Sequence, residues 1–271
     1  MMIRKAWSGI FPGPAAPHLT GLAHPPEAGL PMTTQLLLDI QPQPDDTTCG
    51  PTCLHAIYRY FKDTIPLSQV IAENTSLAGR GTLAVFLACH ALRRGYDARI
   101  YTYNLHVFDP TWFTLDRQGI REKLQAQLAY KKGERLRLAT QGYLDFLDLG
   151  GELRFADLTV GLIRKYLRRS LPILTGLSST YLYRISREIG DSETPDDVRG
   201  EPVGHFVVLY GYDLDSRAVR VADPYWDNPV ADSHYYSVNI GRVLGAILLG
   251  VLTHDANLLI ISPRQQGGAI P

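Results

Sequence analysis

The stretch Gln43-Pro-Asp-Asp-Thr-Thr-Cys49-Gly-Pro-Thr-Cys53-Leu constrains this chain more than any other. A loop rich in proline, aspartate and threonine runs abruptly into helical spacing, with Cys53, Leu54, Ile57, Tyr58 and Phe61 on one face. Thr47 or Thr48 can cap that helix, and Pro51 suits its first turn, where a missing N–H costs nothing. Cys49 therefore opens a helix. Unpaired backbone N–H groups and the positive end of the helix dipole face its sulfur, which favours thiolate and lowers the pKa below the free value of about 8.5. Gly50 allows another segment to come close. Cys53 and Cys89 sit on apolar helix faces and read as core, whereas Cys49 sits among polar and turn residues and reads as a nucleophile. Gln43, six positions upstream, brings an amide that can donate to an oxyanion together with the Cys49 N–H.

A second constraint lies near the other end. Gly204-His205-Phe-Val-Val-Leu-Tyr-Gly-Tyr-Asp213 is strongly apolar, and Ala218-Val-Arg-Val-Ala-Asp223-Pro224 follows it. Turn-forming residues from Asp213 to Ser216 predict a hairpin. With the turn centred near Leu214, Asp223 falls opposite the start of the first strand, beside His205. There a carboxylate accepts from one imidazole nitrogen while the other faces a thiol. Pro224 removes a ladder donor and turns the chain away. Taken alone, His205 is as easily a strand-end surface histidine; with Asp223 and a helix-start cysteine it becomes the candidate base.

The remaining pattern predicts an α+β domain. Helices are expected over 67–73, 82–94 with Gly95 as stop, 120–130, 141–147, 158–168 with Asp157 as N-cap, and 240–248. Short strands are expected at 36–40, 99–103, 172–177, 205–212, 218–222, 235–238 and 258–261. Helices first and antiparallel strands later is not the alternation of a doubly wound sheet. Residues 1–33, rich in Pro, Gly and Ala, read as a flexible leader and 264–271 as a disordered tail, leaving a domain over 34–263. Met32 begins the ordered stretch and is a second candidate start.

Charge narrows the partners. Lys+Arg and Asp+Glu balance at 27 each, so no global field draws in nucleic acid or an anionic membrane. Three cysteines leave at least one unpaired, and no second Cys or His pair completes a zinc site, so neither metal nor other cofactor is expected. A reducing, cytoplasmic setting follows. Pro12, Pro14 and Pro17 interrupt any secretory apolar run, and His254, Asp255 and Asn257 break the apolar stretch 243–261, so no signal or membrane span is expected.

These motifs resemble the bacteriocin-processing, double-glycine peptidase family, whose members are papain-like cysteine peptidases often fused to export transporters. The resemblance rests on the Gln43…Cys49-Gly-Pro-Thr-Cys-Leu block, the His205 strand and the Ala-Asp223-Pro ending. The chain is similar in particular to stand-alone bacterial members through Gly79-Arg-Gly-Thr-Leu-Ala-Val-Phe-Leu-Ala, Arg93-Arg-Gly-Tyr and Pro172-Ile-Leu-Thr-Gly-Leu-Ser-Ser-Thr-Tyr, over roughly residues 38–262. It implies a papain-like fold with Cys49 as nucleophile, His205 as base, Asp223 as its partner and Gln43 at the oxyanion. The interval between Cys49 and His205 is long for that family, so residues 105–160 are expected to be a helical insertion. The expected reaction is hydrolysis of a peptide or isopeptide bond in a peptide or protein, through a thioester. An acyltransferase or transglutaminase-like enzyme, and a non-catalytic peptide-binding module, stay open on the same residues. Ser178, Ser179 and Tyr181 either line the cleft or form a satisfied polar cluster. Asp45 and Asp46 shape the loop, His90 reads as a core or surface histidine, and the acidic loop Glu188 to Asp197 is placed to gate substrate.

Overall fold

The apolar run after His205 has no polar face to show to water, so it must be covered on both sides. In the computed structural model, which describes residues 33–74, 81–190, 194–253 and 255–264, it is a central strand. In chain order the elements begin with β1 (Thr33–Gln35), α1 (Cys49–Tyr60), α2 (Leu67–Glu73), α3 (Ala84–Arg93) and β2 (Tyr96–Thr102). A 3₁₀ turn (Pro110–Thr114), α4 (Arg117–Gln127), α5 (Glu134–Asp148), β3 (Glu152–Arg154) and α6 (Val160–Leu167) follow. Next come β4 (Ile173–Ser178), α7 (Ser179–Tyr183), and two-residue strands β5 (Glu188–Ile189) and β6 (Thr194–Pro195). The chain closes with β7 (Gly204–Asp213), β8 (Ala218–Ala222), β9 (Tyr235–Asn239), α8 (Ile240–Leu249), a second 3₁₀ turn (Gly250–Thr253) and β10 (Asn257–Pro263).

This is an α+β fold. The main sheet runs β3-β2-β10-β4-β7-β8-β9, antiparallel except where β3 joins β2 in parallel. The first half of β7 pairs with β4, from Ser178↔Gly204 to Ile173↔Leu209, and β1 pairs with its last residues. Gly211 permits that approach, since a Cβ there would lie 2.5 Å from the Thr34 carbonyl oxygen. Helix α1 packs on β7 and on α3, and α3 on β2 and β10, so the start of α1 is held against the start of β7.

Several local expectations shift. The segment 36–40 keeps the alternation of buried Leu36, Leu38 and Ile40, but the ladder lies at Thr33–Gln35 and ends with Leu36 N donating to Tyr210 O at 2.8 Å. Alternation reports a half-buried face, not a hydrogen-bonded partner. Thr48 stands at the N-cap of α1 without capping it, because its hydroxyl donates to the Asp45 carbonyl at 2.9 Å. Helix α6 is capped by Thr159, whose Oγ1 accepts from Leu162 N at 3.1 Å, and not by Asp157. The region 105–160 contains α4 and α5 but also β3, which extends the sheet edge. Of the expected leader only Thr33 is described, as the first residue of β1; of the tail only Arg264, which donates to Asp97 at 3.3 Å. The rest of both, Met32 included, lies outside the described residues.

Candidate active site

Cys49 is the first residue of α1 and is 8% exposed. A Cβ on Gly50 would meet Thr82 Cγ2 at 2.7 Å and Leu87 and Phe206 side-chain carbons at 3.2 Å, so only glycine lets α3 and β7 crowd the helix start. One turn on, Cys53 is fully buried and donates to the Phe206 carbonyl at 3.2 Å. Burial, then Cys49 and Asp223, push its thiol well above the ordinary range. Burial likewise pushes Cys89 up to about 12. Both are inert core thiols.

His205 Nε2 donates to Asp223 Oδ1 at 2.8 Å, but the contact is not made straight across the hairpin. Strands β7 and β8 pair Asp213↔Ala218 through Gly211↔Arg220, then pass a bulge at Tyr210 before Leu209↔Val221 and Val208↔Ala222. Continuing that register puts Asp223 across from Val207, so the carboxylate reaches diagonally along the strand to His205. The bulge decides the outcome. An unbroken ladder would set Asp223 across from Val208, with its side chain on the other face of the sheet. Asp223 N also donates to His234 O at 2.8 Å, which extends the β8–β9 ladder by one step and fixes the backbone.

Asp223 is wholly buried, and among the described residues its carboxylate accepts four hydrogen bonds. Oδ1 takes His205 Nε2 and Tyr225 N at 2.9 Å; Oδ2 takes the hydroxyls of Tyr183 at 2.7 Å and Tyr236 at 2.5 Å. Burial raises its pKa, but His205 and the tyrosine hydroxyls outweigh that and leave it below the usual 3.8. Burial alone would lower the pKa of His205. The Asp223 charge and hydrogen bond, then the neighbouring Cys49, raise it instead from 6.5 to about 10. With Nε2 committed to Asp223, Nδ1 is the nitrogen left for the thiol. Nothing in the sequence singles out Tyr183 and Tyr236, because a tyrosine near apolar neighbours looks like core until a buried carboxylate demands donors, and Tyr225 contributes only its backbone N–H.

Gln43 reaches the site through its backbone, which donates to Pro224 O at 2.9 Å and ties the nucleophile loop to the residue after Asp223. Its Nε2 donates to Asp45 O at 3.0 Å, which leaves one amide hydrogen, and its buried Oε1 has no partner among the described residues. Asp45 Oδ1 accepts from Thr47 N and Oγ1, a turn-shaping role. His205 borders two clefts. One, of about 570 Å³, is lined by Cys49, Thr82, Arg135 and Asp255, and the other, of about 380 Å³, by Gln43, Tyr183 and Tyr225. Asp46, Glu188 and Val203 reach both; of the acidic loop, it is Glu188 at its start that flanks the site, and residues 191–193 lie outside the described residues. Burial pushes Asp255 up to about 6, while its Oδ1 accepts from Ala84 N and Asn257 Nδ2.

The weaker candidates divide. Ser179 lines the smaller cleft and donates to Val203 O at 3.1 Å; Ser178 caps α7, and Tyr181 packs at Gly245, away from both clefts. His90 is a buried histidine between Tyr58 and Glu73. Among the described residues, no group of three His, Cys, Asp or Glu side chains is placed to hold a metal, and no helix is long and apolar enough to cross a membrane.

The model of the Peptidase_C39 like family matches residues 30–239, most of the chain. The chain belongs to that family. A Peptidase_C39 like protein is a cysteine peptidase by descent, and the α+β fold with a cysteine at a helix start agrees with it. Solved structures similar to this chain include a double glycine motif protease from an AMS/PCAT transporter in complex with the leader peptide, at 15% identity and TM-score 0.41, covering 85% of this chain and 95% of that one. A C39-like peptidase from Bacillus anthracis is 14% identical, with TM-score 0.36 and coverage of 86% and 99%. Xylellain, a cysteine protease from Xylella fastidiosa, is 13% identical, with TM-score 0.42 and coverage of 88% of each chain. No curated protein matches in sequence.

Proposed function

We propose that this Peptidase_C39 like protein cleaves a peptide or isopeptide bond through Cys49, His205, Asp223 and Gln43. The observation that supports this reading is His205, hydrogen-bonded to Asp223 and lining one cleft with Cys49 and another with Gln43. In this reading the Cys49 sulfur attacks the carbonyl carbon, and the C=O π pair moves onto oxygen. The oxyanion takes hydrogen bonds from the Cys49 N–H, left without a helical partner, and from the remaining amide hydrogen of Gln43. When the intermediate collapses, the C–N bond breaks and His205 gives its proton to the leaving amine. Water then attacks the thioester, His205 takes its proton, the C–S bond breaks and the acid leaves. Asp223 holds the imidazole turned toward the thiol throughout.

The test is cleavage of a diverse peptide mixture followed by mass spectrometry. Cys49→Ala is expected to lose at least about a thousandfold in rate, and Gln43→Ala about a hundredfold or more. Cleavage by Cys49→Ala at the wild-type rate would overturn the assignment.

A further inference from the structure

Asp223 carries more donors than a histidine partner requires. A buried carboxylate beside a buried imidazolium faces a specific hazard, because the proton on Nε2 can pass to the carboxylate and cancel both charges. The imidazole would then be neutral, with no charge to hold a thiolate. Where that proton rests depends on the relative stability of the anion, and each hydroxyl donating to the carboxylate favours the anion over the acid.

We propose that Tyr183 and Tyr236 are positioning residues for the peptidase reaction, whose hydroxyls hold Asp223 as an anion so that the shared proton stays on His205. The inference rests on the reading of Cys49 and His205 above. Both hydroxyls converge on Oδ2, the oxygen His205 does not use, at 2.7 and 2.5 Å. Clamped there, the carboxylate cannot rotate, and Oδ1 stays aimed at Nε2. The two donors come from separate elements, α7 and β9, so the arrangement is a product of the tertiary fold. Tyr236 is 7% exposed and sits behind the carboxylate, while Tyr183 lines the cleft that Gln43 shares. Burial and the Asp223 charge push both phenols well above their usual 10, so they donate without ionising. Among the described residues, the other titratable groups facing this cluster include Cys49 and Cys53 from α1, Tyr225 beside His205, His234, whose Nδ1 lies 2.6 Å from the Asp223 carbonyl oxygen, and Asp46, Glu188 and Asp227 on the cleft that Tyr183 and His205 line.

The experiment follows His205 by NMR in protein carrying ¹⁵N-labelled histidine, titrated in wild type, Tyr183→Phe, Tyr236→Phe and the double variant. The rate of Cys49 alkylation by iodoacetamide is measured over the same pH range. Each lost hydroxyl is expected to raise by about one unit the pH at which Asp223 takes up a proton, read as the acid-side step in the His205 ¹⁵N shifts, with the acid limb of alkylation moving alongside. A purely structural role would lower the urea midpoint and leave the His205 titration where it was, and that result overturns the proposal. Tyr183→Phe, on the cleft wall, keeps the test decisive should Tyr236→Phe fail to fold. If Cys49 in wild type reacts no faster than a free thiol, the peptidase reading falls, yet the His205 titration still decides what the tyrosines do.

Discussion

At the scale of single residues, the site depends on side chains that are missing as much as on those present. Gly50 is set against Thr82, Leu87 and Phe206 at distances no Cβ tolerates without movement. Gly50→Ala would gain up to about 1 kcal/mol of helix propensity and lose about 1–3 kcal/mol to overpacking, so the overpacking wins. Urea unfolding should show a net loss, and Cys49 should alkylate more slowly because Thr82 and Phe206 line its cleft. An unchanged or raised midpoint would mean that Thr82 yields freely. Cys49, Gln43 and His205 could be picked out as candidates at this scale, since each stands at a break between a polar loop and an apolar element. The tyrosines around Asp223 were not, since nothing local distinguishes a phenol that donates to a charge from one that fills space.

At the scale of elements, β7 does the positioning. It takes β4 along its first half and β1 along its last residues, while β8 runs along its other side. The bulge at Tyr210 sits between the two ends and sets the face on which Asp223 emerges. That arrangement makes the two ends separable. In Gly211→Ala the new Cβ would press on the Thr34 carbonyl and Gln35 Cα, both backbone atoms. Strand β1 should come away, with the Leu36 amide losing its hydrogen-exchange protection while Cys49 alkylation stays at the wild-type rate. A fall in alkylation would show that β1 supports the site after all. The hairpin was predictable from its turn, but the bulge was not, because an extra residue in an apolar strand leaves the composition of the strand unaltered.

At the scale of the whole molecule, the His205–Asp223 pair ties stability to pH. The His205 pKa is raised on folding, so its contribution is complete below 6.5 and is lost as pH rises toward about 10. The Asp223 pKa is lowered on folding, so its contribution is present above 3.8 and is lost as pH falls through the folded value. The stability difference between wild type and Asp223→Asn, from urea unfolding, should therefore be largest between those limits and shrink on both sides. Removing the charge at the optimum should cost about 3–5 kcal/mol, because a buried imidazolium loses its partner. A difference that stays flat from pH 6 to 10 would contradict the upward shift of His205.

By itself the sequence determined the α+β class, the helix that begins at Cys49, the hairpin after His205 and the residue types that gather around them. Those are local properties, set by periodicity, turn chemistry and the reach of a few neighbouring residues. Only the tertiary structure decided that Asp223 meets His205 diagonally, that a bulge turns it to the correct face, and that two tyrosines from distant elements share its second oxygen. Register, face and hydrogen-bond partners depend on which strands and helices come together. A buried charge shows in the sequence as one polar letter, and its partners appear only once the chain has closed around it.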